Sequence, residues 1–153
     1  MITDDFSAYA VGIDIHLDRP VTAAEVRGRV EELLVAIAKA CDQAGATLIG
    51  HIKAVVETEG KGFLGISVTE PTGKATTRGE LQDGAKALEI TVNVLLYGLT
   101  RSKVQELVDP LAMRMLDFPG SEIELEDLEE HHHDHGRDDH DGHVHEHDEH
   151  DHC

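Results

Sequence analysis

Two cysteines in 153 residues are too few for a disulfide framework. No apolar run approaches the roughly 20 residues needed to span a bilayer. The N-terminus, MITDDFSAY, has neither a basic segment nor an apolar one, so it does not read as a signal peptide. These absences make a cytoplasmic location the expectation. Positive charge is scarce as well. Only 13 Lys and Arg stand against 31 Asp and Glu, for a formal charge of -18. That balance repels nucleic acid and anionic membrane surfaces, and favours metal cations or basic protein patches as partners. Catalytic motifs are missing too. There is no P-loop and no G-x-S-x-G, and the sequence Gly60-Lys61-Gly62 has no Walker pattern around it and reads as a turn.

What is present is uneven. Residues 121–153 hold 14 acids and one base, Arg137, while the rest of the chain is near -5, an ordinary surface. Within that end, residues 131–153 read HHHDHGRDDHDGHVHEHDEHDHC and contain ten of the twelve histidines. A packed core cannot be made from such residues, so the segment is expected to work unfolded in water. Its longest His run is His131, His132 and His133, and the rest is interleaved with acids. A purification tag is normally an uninterrupted run, so this reads as a natural tail.

Imidazole is the commonest metal ligand, and the spacing here lets several converge on one ion. His131, His132, His133 and His135 form one cluster; His140, His143, His145 and His147 a second; His150, His152 and Cys153 a third. The acids lower the cost of gathering dications. Borderline ions such as Ni²⁺, Co²⁺, Zn²⁺ and Cu²⁺ suit imidazole. At about three to four ligands per ion, the tail has capacity for roughly three ions. Ordering the chain costs entropy, so moderate affinity and fast exchange are expected. Binding should weaken as pH falls through about 6.5, because a bound His must be neutral. The competing reading is a solubilising polyanion.

Ahead of the tail, about 118 residues have the size of one domain. Residues 7–17 alternate, with Tyr9, Val11, Ile13, Ile15 and Leu17 on one side, which predicts a half-buried strand ended by Asp18-Arg19-Pro20. Thr22 and Glu25 make a capping box for a helix ending at Gly45. Its apolar stripe is Val26, Val30, Leu33, Leu34, Ile37, Ala38 and Cys41, which makes Cys41 a core residue. A hairpin follows, residues 47–58 and 63–69, with Leu48, Ile52, Ala54 and Val56 sharing a face. Residues 70–86 hold Pro71, Gly73, Gly79 and Gly84 without periodicity and read as a long mobile loop. Residues 86–96 alternate as a fourth strand. Thr100 or Ser102 caps a second helix to about Leu116, with a kink or break expected at Pro110.

The expected fold is α+β: a two-layer sandwich of a four-stranded, mostly antiparallel sheet with two helices on one face, in the order β-α-β-β-β-α and ferredoxin-like in shape. Residues 1–120 form the domain and 131–153 the tail. Residues 121–130 read as an acidic linker, although Ile123, Leu125 and Leu128 alternate with acids as in a short docking element. The uncovered face would carry Asp14, His16, His51, Lys53, Glu57, Ser67, Thr69, Glu89, Thr91 and Asn93, together with Ile49, Val55 and Leu95. Such a face is solvated, or makes a homodimer contact, or holds a metal or ligand through His16, His51 and Asp14.

The tail resembles the His-rich extensions of metallochaperones, notably nickel accessory proteins of urease and hydrogenase maturation and CobW-type GTPases. In the body, GHIKAVVETEGKGFLGISVT (residues 50–69), with Gly50, His51 and Lys53 most distinctive, resembles an accessory domain of CobW-type proteins. The GTPase itself is absent. The resemblance implies a non-enzymatic metal-handling module that passes Ni, Co or Zn to a metalloenzyme, a transporter or a GTPase maturation factor. The alternatives are a ligand-binding or enzymatic domain using His16, His51 and Asp14, and a scaffold whose acidic tail meets a basic partner.

Overall fold

The computed structural model describes residues 6–60 and 62–128. They form β1 (Phe6–Val21), α1 (Ala23–Gln43), β2 (Leu48–Thr58), β3 (Gly62–Val68), β4 (Thr76–Leu81), β5 (Ala85–Tyr97), α2 (Arg101–Met115) and β6 (Ser121–Asp127). All the strands join one sheet in the order β4-β3-β2-β5-β1-β6, with every neighbouring pair antiparallel. β1 and β2 both run against β5, which lies between them, so they are parallel to each other and α1 is their crossover.

The α+β class stands, but the four-stranded sheet does not: two further strands widen it to six. β4 lies in the segment expected as a loop. Only Leu81 of its residues is buried, so no apolar alternation marks it. Backbone pairing to β3 holds it, from Gly62↔Leu81 to Ser67↔Thr76, and the Thr77 hydroxyl donates to Glu31 of α1 at 2.6 Å. β6 lies in the segment expected as a linker. It pairs with β1 from Leu17↔Ser121 to Val11↔Asp127, and Ile123 and Leu125 pack against the core. Acid at every other position had hidden a strand of ordinary alternation.

α1 begins where Thr22 accepts from the Glu25 backbone N–H at 3.2 Å. Its seven stripe residues, Val26 to Cys41, are all fully buried. A side chain of that size contributes about 1.5–3 kcal/mol by leaving water. The helix closes in a Schellman motif: Ala46 N–H reaches Cys41 O and Gly45 N–H reaches Asp42 O, with Gly45 at φ +110°. α2 starts at the cap Thr100, whose hydroxyl accepts from Lys103 N–H. It runs unbroken through Pro110. Pro110 and Glu106, whose carbonyl loses its intrahelical donor, are both exposed, so water can satisfy that carbonyl.

A bulge corrects one detail of β2. Ile49 pairs with Leu96 and His51 with Leu95, which leaves Gly50 as the extra residue. Ile49 and Ile52 therefore both face the core, while Leu48 turns outward beside Tyr97. A second polar link ties three elements. Tyr9 of β1 donates to Asp109 of α2 at 2.6 Å, and Arg101 lies over the Tyr9 ring at 5.2 Å and pairs with Asp127 of β6. Burial, then the bond to Asp109, pushes the Tyr9 hydroxyl pKa far up.

Candidate functional site

Both helices cover one face of the sheet and leave the other open. On β1 the open face carries Ala8, Ala10, Gly12, Asp14 and His16; on β5 it carries Ala87, Glu89, Thr91, Asn93, Leu95 and Tyr97. Strand register turns these into rows. Glu57, Glu89, Asp14 and Glu124 stand directly opposite one another across β2, β5, β1 and β6. Such neighbours lie about 5 Å apart at Cβ, and like charges in that position destabilise. His16 occupies the next row, between Ala87 and Glu122.

His51 is not with them. It pairs with Leu95, six residues along β5 from the Glu89 that pairs with Asp14, or about 20 Å away. The fold therefore brings His16 and Asp14 together and places His51 at the opposite end of the face. Among the described residues, no group of three or more His, Cys, Asp or Glu is placed to hold a metal ion. His131, His132, His133, His135, His140, His143, His145, His147, His150, His152 and Cys153 lie outside the described residues. Cys41 is sealed in the core, and burial pushes its thiol up to about 11, which keeps it protonated and a poor ligand.

Three hollows lie on the open face: a small one of about 220 Å³ lined by Asp14, His16, Ala87 and Glu89, and two larger ones on either side of Phe63. Of the larger two, the acidic one, of about 580 Å³, is lined by Glu57, Thr58, Glu59, Phe63, Ala87 and Glu89. The other, of about 350 Å³, is lined by His51, Lys53, Phe63, Gly65, Ser67, Thr76 and Arg78. Lys53 and Ser67 could be placed on this face from their strand parity. Thr76 and Arg78 could not, because β4 has no readable period. At one end of the face Phe6, Tyr97 and Leu48 form an exposed apolar row, with the Phe6 and Tyr97 rings 5.3 Å apart.

Where the chain leaves β6, Leu128 N–H donates to Ala10 O and the Leu128 side chain lies over Gly12. A Cβ at residue 12 would sit 3.1 Å from Leu128 Cδ2, so the glycine makes room for it. No helix among the described residues is long and apolar enough to cross a membrane. No family model, curated protein or solved structure matches the chain.

Proposed function

We propose that this is a non-enzymatic transition-metal-binding protein of the cytoplasm. It holds Ni²⁺, Co²⁺ or Zn²⁺ on its C-terminal histidines and passes the ion to a protein partner, a metalloenzyme, a transporter or a GTPase maturation factor. One observation carries the reading: ten of twelve histidines fall in residues 131–153, in three short-spaced clusters interleaved with carboxylates. Histidines spaced this closely along the chain and interleaved with acids suit the gathering and hand-over of ions. The folded body supplies docking and, through its open face, self-association. The likeness of the tail to metallochaperone extensions points the same way.

Calorimetry with each ion tests this on the full chain and on a full-length variant with the ten tail histidines changed to Asn. The parent should bind roughly three ions, and the variant should lose them. Equal binding by the two proteins would remove the tail from the mechanism, and no binding by either would end the proposal. If the tail is deleted instead, the chain must end after Leu128, because a shorter chain loses β6. A catalytic use of His16, Asp14 and His51 together is not supported by their separation across the sheet.

A further inference from the structure

We infer that the hollow over β2, β3 and β4 is a binding site for a small oxyanionic ligand. A phosphate or carboxylate sits on Lys53 and Arg78, and an attached flat or apolar group lies against Phe63. This site is separate from the metal-binding tail and does not depend on it.

Charge is the first argument. Among the described residues four cations pair with carboxylates: Arg27 with Glu31, Arg29 with Glu25, Arg101 with Asp127 and Lys103 with Glu106. Several others do not, so what distinguishes Lys53 and Arg78 is that both line one hollow. Lys53 and Arg78 are both exposed and have no ion-pair partner among the described residues. Two unpaired cations lining one hollow amount to an anion trap, and Arg in particular offers a planar fork that matches two oxygens of a phosphate or carboxylate.

Register is the second argument. Lys53, Ser67 and Thr76 form one row across β2, β3 and β4. Val55, Gly65 and Arg78 form the next row. The two hydroxyls are further donors, and the His51 imidazole adds one at the rim. The space above Gly65 is empty: a Cβ built there would meet nothing within 4 Å. The floor between the two cations is thus open to a ligand.

Phe63 is the third. It stands in register between Glu57 and Glu80, the one aromatic in an acidic row. Phe63 is 56% exposed and lines both of the hollows beside it. It separates the cations from the acids of the neighbouring hollow and offers a flat apolar wall that inorganic phosphate alone would not use.

Titration of the full-length protein with inorganic phosphate and with phenyl phosphate, followed by amide NMR, tests the inference. Both probes should shift Lys53, Gly65, Ser67, Thr76 and Arg78, with phenyl phosphate binding the tighter. The double variant K53Q/R78Q, which alters only exposed side chains and should keep its melting temperature, should weaken both by about tenfold or more. F63L should abolish the preference for phenyl phosphate and leave inorganic phosphate binding intact. Undiminished binding in K53Q/R78Q would overturn the site, as would no binding at all. A third form, with the carboxylates of residues 129–153 changed to amides, separates the sources of oxyanion. If only this form binds the probes, the hollow is occupied by the chain's own tail and not by a small ligand, and the inference fails.

Discussion

The two faces of this sheet are made by alternate residues of the same strands, and they obey different physics. On β5, Leu88, Ile90, Val92, Val94 and Leu96 are buried beneath the helices, while Glu89, Thr91, Asn93 and Leu95 point the other way. The covered face is held by loss of apolar surface from water, which tolerates salt and pH and penalises any void. The open face contributes little of that. It instead sets carboxylates in a row that costs stability, beside Lys53 and Arg78, which have no ion-pair partner among the described residues. A surface that pays for an unfavourable charge pattern has room for recognition, and the two hollows flanking Phe63 lie there.

The largest test of that contrast is a void on the covered side. Ile90→Ala removes a fully buried side chain at the centre of β5 and should cost about 3 kcal/mol, read as a lower urea midpoint at unchanged slope. A loss under about 1 kcal/mol would mean that the core collapses around the gap and that the two faces differ less than their burial implies. Gly12→Val comes next, from the open side. It drives a branched side chain into Leu128 and should loosen β6 at a cost of about 1–2 kcal/mol. Amide exchange should quicken in β6 and stay slow in α1. Equal acceleration in both would show that β6 is part of one cooperative unit with the core.

Legibility in the sequence followed the same division. The covered face could be read almost residue by residue. All seven stripe residues of α1 are buried, and so are Tyr9, Val11, Ile13, Ile15 and Leu17, because burial imposes a period and the period is visible. The bulge at Gly50 was not readable, since one inserted residue reverses the parity of Leu48 and Ile49 without changing composition. β4 and β6 escape the sequence pattern for opposite reasons. β4 is an edge strand held by backbone bonds, which leave no side-chain signature. β6 has the alternation, but its acids match those of the segment that follows it. The site suffered accordingly. Parity alone places Lys53 on the open face, whereas its companion Arg78 joins it only because β4 exists. His16 and His51 share a face, and only register shows the distance between them.

On the open face, smaller changes should act through charge alone. Glu89 stands between Glu57 and Asp14, so Glu89→Gln removes the centre of the acidic row. It should stabilise the fold by about 0.5 kcal/mol at low salt, and the gain should shrink as ionic strength rises. A destabilising effect would indicate that the row is already neutralised by a bound cation, which would change the meaning of this face.

The smallest effect lies in a polar contact between the sheet edge and α1. Thr77 donates to Glu31, and that hydrogen bond, aided by Arg27 and opposed by burial, holds the Glu31 carboxyl below its ordinary 4.5. A carboxyl with a lowered folded pKa adds stability in full above its unfolded value, and the contribution is lost as pH falls through the folded value. Thr77→Val keeps the shape and removes the donor. At pH 7 it should cost about 0.5 kcal/mol, since the Glu31 side chain is still partly exposed and solvent screens the contact. Well below pH 4.5 the carboxyl is protonated in both proteins, so the difference between parent and variant should close. Urea midpoints measured at the two pH values decide it. A gap that persisted in acid would assign the loss to the packing of β4 on α1, and the edge strand would then be held by the same apolar forces as the rest of the covered face.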